Sequence, residues 1–368
     1  MSKVDELIQK INKDKKEELL TKGLLRESGA RIPFSSPRAN YMYYGGIPRG
    51  RLTEFCGKES SGKTSSALDI VKNAQPLFLN EWDERITELT SKSKLLKDET
   101  LELEALQQRG PLKIMYVDME NTLDRMWART LGVDTESMYI FSSGASSAEE
   151  LLEHLLDIIR TGEMGLIILD SLPQFIPECV LTASVEKDTY GGNAKAITKF
   201  VNKAVPLCGR YNTTIIGINH VKPVLNSVFP QEYRPGGKAW QYLISVCIKF
   251  NRGKYVDVLG VEIEKSNAHP AGNKVEMQNL KNKICRPDRQ LGFYTLNYDK
   301  GVDILPDIVD VAFECKLIVR EGSYYDIIMN NEKLCRQHGS TNLYEFIKNN
   351  PEVFDYLYKE TSAWVVRR

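Results

Sequence analysis

GKESSGKT, residues 57–64, decides the fold: Gly57, four residues, then Gly62, Lys63 and Thr64. The apolar run at residues 52–56 in front of it reads as a short buried strand. The helix behind it is expected to start at Ser61 or Gly62 and to run through Ser65 to Lys72. Gly57 and Gly62 allow the dihedrals that turn successive N–H groups of Lys58, Glu59, Ser60 and Ser61 around the β- and γ-phosphates of a nucleotide. Lys63 supplies a mobile positive charge and the Thr64 hydroxyl can ligate Mg²⁺. The positive end of the helix dipole faces the same anion. A strand, a glycine-bounded loop and a helix in that order make a phosphate loop.

Composition sets the frame around it. The chain has 368 residues, 42% of them hydrophobic, which suits one large core with small appendages. Lys plus Arg and Asp plus Glu number 49 each. There is no global basic field, so a polyanion has to be met by a local patch or by a surface built on assembly. The cysteines at 56, 179, 208, 247, 285, 315 and 335 form no C-x-x-C pair and read as buried thiols of a reducing cytosol. No apolar run reaches the length of a membrane span, and the charged amino terminus has no signal-peptide core, so a cytoplasmic protein is expected.

Residues 3–25 carry Val4, Leu7, Ile8, Ile11, Leu19, Leu20, Leu24 and Leu25 at amphipathic helical spacing, with a break near 12–16. An arm over residues 1–30 follows, which either packs on its own domain or docks on a neighbouring subunit; periodicity does not distinguish the two. From residue 52 to about 300, strand-like runs at 114–117, 139–141, 166–169, 214–218 and 246–250 alternate with helical stretches. That alternation predicts a mainly parallel sheet covered by helices, in a core over residues 31–300. Residues 80–109 are rich in Glu, Lys and Leu and predict a projecting helical hairpin, either a solvated insertion or a partner-binding surface. Residues 301–368 predict a small C-terminal lobe of short helices and a hairpin near 321–325.

Two carboxylates extend the nucleotide site. Residues 165–170 form an apolar strand ending in Asp170, the form of the Walker B element that positions Mg²⁺. Residues 114–117 form another, with Glu120 just past its end, where ligands of open α/β sheets bind. Glu120 either polarises an attacking water or opens a helix as a favourable charge.

GKESSGKT, YVDMENTLDRMWARTLGVD (116–134), LIILDS (166–171), IIGINH (215–220), RPGGKAW (234–240) and LKNKICRP (280–287) stand in one order. With them the chain resembles the RecA-family homologous-recombination ATPases over about residues 31–355. The resemblance implies an α/β fold: a RecA-type P-loop ATPase core with a mainly parallel twisted sheet, an N-terminal helical arm and a small C-terminal α+β lobe. It also implies ATP and Mg²⁺ as ligands, with Glu120 as catalytic base, Asp124 and Trp127 holding the adenine, and Tyr298 closing over it. Lys281 and Lys283 match the pair that reaches the γ-phosphate of the next subunit, and His220 stands where the family places its γ-phosphate sensor.

Single-stranded DNA is implied at two loops, about 177–192 and about 221–237. Lys222, Arg234 and Lys238 are then expected to contact phosphates, and Gly191, Gly192, Gly236 and Gly237 to offer backbone donors. Lys195, Lys199 and Lys203 continue along one helix, and Tyr190, Val224 and Leu225 could wedge or stack between bases. The expected function is an ATP-dependent recombinase that forms filaments on single-stranded DNA, pairs it with a homologous duplex and exchanges strands, alongside single-strand-binding and loader proteins and without a membrane. A hexameric helicase motor or a recombination mediator on the same fold is the alternative. The chain departs from bacterial members in the 80–109 insertion, in ending Val-Val-Arg-Arg instead of in an acidic tail, and in having His220 for the usual Gln. The Asn219–His220 pair is similar to recombinases of T4-type bacteriophages, which suggests a phage origin.

Overall fold

The computed structural model describes residues 5–7, 9, 10, 13, 30–142, 144, 146–183, 192–224, 232–258, 262–264 and 269–367. The chain forms two compact units, Met1–Ala30 and Arg31–Arg368. In the first, residues 5–7, 9, 10 and 13 are helical.

The second unit is built on one large sheet. Its strands are β1 (Leu52–Gly57), β2 (Lys113–Asp118), β3 (Met138–Ser142), β4 (Met164–Asp170), β5 (Thr214–His220), β6 (Val246–Val256), β7 (Gly272–Asn282), β8 (Leu291–Asn297) and β9 (Gly301–Asp303). They lie in the order β9-β8-β7-β6-β1-β5-β4-β2-β3, with the short strand Glu262–Ile263 beside β6. From β6 to β3 every neighbouring pair is parallel, while β7, β8 and β9 pair antiparallel. The phosphate-loop strand β1 is central, as its fully buried sequence requires.

Side chains alternate between the two faces. Phe55, Ile114, Tyr116, Leu166, Ile168, Ile216 and Ile218 join one core beneath helix α1 (Lys63–Thr90). Met115, Val117, Ile167, Leu169 and Ile215 join the other, beneath α4 (Ala148–Arg160) and α5 (Gly192–Tyr211). Between these helices in the chain come α2 (Lys97–Arg109) and α3 (Arg125–Thr130).

The charged insertion is a helical hairpin whose first arm is the far end of α1 itself. At 28 residues α1 is ~42 Å long. α2 returns along it, held by the Trp82 indole donating to the Leu106 carbonyl (2.8 Å) and by Arg85 between Glu88 and Glu102.

The core sheet extends past the expected break at residue 300, because Gly301–Asp303 pairs with β8 as its last strand. Beyond it, α7 (Leu305–Glu314), α8 (Gly339–Asn349) and α9 (Pro351–Val366) pack with a three-stranded antiparallel sheet, Ile318–Glu321, Tyr324–Met329 and Glu332–His338, around a hydrophobic cluster of its own. The expected hairpin is thus one half of a three-stranded meander.

All seven cysteines are free thiols, but only Cys56, Cys208 and Cys247 are fully buried; Cys179 is exposed. No helix among the described residues is long and apolar enough to cross a membrane.

Candidate nucleotide and DNA site

The parallel strands all end on one edge, and their tips carry the candidate nucleotide residues. Gly57 closes β1, Asp118 closes β2, Asp170 closes β4 and His220 closes β5, the edge at which ligands of open α/β sheets bind. Gly57 has no room for a side chain: a Cβ would lie 2.4 Å from the Phe250 carbonyl oxygen and 2.6 Å from Ser61 Oγ. Gly62 takes φ +92°, in the left-handed region, where the loop turns into α1. Lys63 is buried, and its ammonium donates to the Gly57 (3.1 Å) and Lys58 (2.7 Å) carbonyls across the loop. Lys58, Glu59 and Ser60 are exposed, whereas Ser61 Oγ is buried without a protein partner. A loop already folded around an orphaned hydroxyl fits a phosphate.

Thr64 Oγ1 donates to Asp170 Oδ2 at 3.0 Å, so the two metal candidates meet. Tyr116, buried on the neighbouring strand β2, donates its hydroxyl to the same oxygen at 2.6 Å. Burial raises the Asp170 carboxyl above its usual range, Glu120 and Asp118 add to the rise, and the two hydroxyls oppose it. A divalent cation beside Asp170 relieves that strain on the charged form. Among the described residues no three His, Cys, Asp or Glu side chains form a metal site of their own. Thr64 and Asp170 therefore fit Mg²⁺, which keeps waters and shares its coordination with substrate phosphates.

Glu120 sits on a turn that Asp118 shapes, since the Asp118 carboxylate accepts from the Thr122 (3.2 Å) and Leu123 (2.9 Å) amides. Its carboxylate accepts a hydrogen bond from Ser171 Oγ, and His220 Nε2 lies 3.3 Å from the same oxygen, Oε1. Glu120 and His220 are each about a quarter exposed, with side-chain values of 27% and 25%. The structure thus joins the expected base to the expected sensor, a contact the sequence does not display.

Trp127 is half-buried on α3, its indole N–H 3.3 Å from Ser65 Oγ, which places an aromatic face beside the start of α1. Asp124 is the N-cap of α3 through one oxygen, Oδ1, which accepts from the Met126 and Trp127 amides. Tyr298 donates its hydroxyl to Asn273 at 2.9 Å.

Lys281 and Lys283 stand apart from the phosphate loop of their own chain. On β7, Lys281 pairs with Cys247 of β6, which in turn pairs with Glu54, so the lysine is level with a residue three positions before Gly57. That is ~10 Å back along the strands. Both ammonium groups donate to the Tyr242 carbonyl at 2.9 Å, and Lys281 also donates to the Gln241 carbonyl. These carbonyls end α6 (Gly237–Leu243), where a cation is favourable. Burial and the neighbouring Lys283 charge lower the Lys281 ammonium to about 8.

The expected DNA residues divide. Tyr190, Gly191 and Leu225 lie outside the described residues. Lys222, Val224 and Lys238 are exposed around the second loop, whose stem pairs Lys222 with Tyr233. Gly236 and Gly237 take positive φ where that loop enters α6, and Gly192 packs against Pro177 and Cys179 at the start of α5. Lys195, Lys199 and Lys203 are exposed on α5, but Lys203 is paired with Glu153 of α4 at 2.8 Å, and Lys199 lines the same groove with Glu149 and Glu153. Arg234 departs most from its expected place. It is turned inward onto Glu54 at 2.5 Å, because a carboxylate with no exposed surface demands a cation.

The RecA N-terminal domain family matches residues 85–303 of this chain. Protein RecA of Cutibacterium acnes is 29% identical over 310 residues, covering 84% of this chain and 75% of that protein. Protein RecA of Nocardioides sp. is 28% identical over 317 residues, covering 86% and 77%. Protein RecA of Thermotoga petrophila is 26% identical over 311 residues, covering 84% and 75%. The family match spans more than half of the chain, and the chain belongs to the RecA family, the Mg²⁺-ATP-dependent DNA recombinases.

Proposed function

We propose that the chain assembles head to tail on single-stranded DNA, so that ATP held by the phosphate loop of one subunit is reached by Lys281 and Lys283 of the next. The observation that carries this reading is the place of the lysine pair: two ammonium groups converge on one α6 carbonyl, with Lys281 level with Glu54 in the sheet and not with the phosphate loop of its own chain. A heterologous interface repeats as a helix. When bound, ATP supplies the γ-phosphoryl group and Mg²⁺ neutralises its developing charge. Gly57 through Ser65 hold the phosphates, Thr64 and Asp170 hold the metal, Trp127 offers its ring to the base, and Glu120 Oε1 takes the proton of the attacking water. Ser171 and His220 orient that oxygen.

Lys222, Val224 and Lys238 are the proposed DNA contacts of the second loop. Lys195, Lys199 and Lys203 extend the basic surface, the exposed Lys203–Glu153 pair being weak enough to yield to a phosphate, whereas Arg234 is held by the fully buried Glu54. Residues 1–30 serve as a docking arm, the protein works in the cytoplasm with single-strand-binding and loader proteins, and the Asn219–His220 pair favours a phage source. Electron microscopy with single-stranded DNA and a slowly hydrolysed ATP analogue tests the assembly: continuous helical filaments are expected, and closed rings or isolated particles contradict it.

Tyr116 is a positioning residue that local sequence did not mark. Tyr116→Phe keeps the buried ring and removes only the hydroxyl on Asp170, so the Mg²⁺ concentration for half-maximal ATPase is expected to rise roughly 10-fold. Titrating ATPase activity against Mg²⁺ decides it, and a curve that superimposes on wild type removes Tyr116 from the metal site.

A further inference from the structure

Glu54 is an anomaly on the phosphate-loop strand: within LTEFCG it points, with Leu52 and Cys56, into the core face shared with Trp240 and Cys247, and it has no exposed surface. Burial raises its carboxyl, and Arg234 opposes the rise. Arg234 reaches it from the arm by which the second loop returns to the sheet, donating to Glu54 Oε2 at 2.5 Å and to Cys247 Sγ at 2.7 Å. Asn219, one residue before His220 on β5, donates to Glu54 Oε1 and to the Pro235 carbonyl, each at 2.8 Å. Gln241 of α6 donates to the Arg234 carbonyl at 3.0 Å. Upstream in the same arm, Glu232 pairs with Lys249 of β6 at 2.6 Å. The returning arm is therefore fastened to β1, β5 and β6, two of whose tips are Gly57 and His220.

We propose that the Glu54–Arg234 pair is a strut that ties the returning arm of the second loop to the phosphate-loop strand, so that Arg234 positions the DNA loop and does not grip DNA. The inference deepens the reading of that loop as a DNA site and rests on it. For Arg234 to contact a phosphate it would have to leave a carboxylate buried among apolar side chains. Breaking a buried pair costs more than an exposed phosphate contact returns. The strut instead lets a shift at the strand tips change the stance of residues 232–237, because the loop end and the nucleotide edge share one buried ion pair and one amide. Arg234 is thus a positioning residue whose effect appears in the coupling between nucleotide and DNA.

The test measures single-stranded DNA affinity with a slowly hydrolysed ATP analogue and with ADP, across a salt series. Wild type, Arg234→Gln, Arg234→Lys and the Glu54→Gln/Arg234→Gln double variant are compared, with folding checked by thermal melting. The double variant leaves no unpaired buried charge and keeps the proposal testable where the single variant fails to fold. Arg234→Gln and the double variant are expected to lower the ratio of the two affinities roughly 10-fold, within the usual span of coupling between sites. The salt slope is expected to stay unchanged, and Arg234→Lys, which keeps the cation, to recover part of the ratio. A preserved ratio with a salt slope reduced by about 0.7, the share of one phosphate contact on a single strand, overturns the proposal and makes Arg234 a DNA contact. Wild-type ratio and slope in both glutamine variants overturn it as well. Wild-type protein with no nucleotide-dependent DNA binding overturns the DNA-loop reading together with the inference.

Discussion

Lys63→Ala protein is expected to turn over ATP at about a thousandth of the wild-type rate or less, with nucleotide binding lost in parallel. The size of the effect follows from what else the loop contains. Lys63 is the cation inside the fold of the loop, and burial lowers its ammonium while Asp170, Glu120 and Glu59 draw it back up. A group so placed, surrounded by carboxylates and seated on two loop carbonyls, is matched to a polyphosphate. No neighbour replaces it: Lys58 is exposed and lies 3.9 Å from Glu232, on the outer side of the loop. Nucleotide binding by fluorescence and ATPase by phosphate release are the measurements, and wild-type turnover in the variant would remove the phosphate-loop assignment.

Glu120→Gln is expected to slow hydrolysis by roughly 10²-fold or more while leaving ATP and DNA binding intact, the usual scale for loss of a general base. Glutamine keeps the size of the side chain, and its carbonyl oxygen can still accept from Ser171, so the turn at residues 118–123 and the strand tips retain their geometry. What disappears is the basic oxygen. The consequence is a protein that assembles in ATP and does not turn over, and single-turnover kinetics with binding measured in parallel separates the two. Unchanged turnover would leave Glu120 with the alternative role of a charge at the opening of a turn.

How much of this was legible depends on how local each feature is. The phosphate loop, the Walker B strand and the alternating strand and helix pattern are read directly, because backbone freedom at glycine and side-chain periodicity act over a few residues. The contact of Tyr116 with Asp170 depends on the register in which Asp118 faces Asp170 and Tyr116 faces Ile168, a property of two strands 54 residues apart. Asp124 is assigned to the adenine by the resemblance, and only the fold shows that its Oδ1 also caps α3, because the short helix 125–130 has to form first.

Arg234 was read as a phosphate contact because it is a cation in the loop that the resemblance assigns to DNA. Its partner is 180 positions away in sequence. A signal was present: the one charged residue in the run 52–56 has to find a cation when the strand is buried on both faces. The lysine pair shows the opposite case: Lys281 lies on β7 and Lys283 just past its end, and only the fold shows both ammonium groups meeting on the Tyr242 carbonyl.

Completion of each ATP site by the next subunit is the central claim, and mixing two inactive variants tests it most directly. Lys281→Ala protein keeps Glu120 and lacks the reaching lysine, whereas Glu120→Gln protein keeps the lysine and lacks the base. In a head-to-tail filament of the two at equal amounts, about one interface in four pairs an intact Glu120 with an intact Lys281. DNA-stimulated ATPase of the mixture is therefore expected to rise to about a quarter of wild type, from parents that are each nearly inactive. Activity no greater than the sum of the two parents at every mixing ratio would contradict a site shared between subunits.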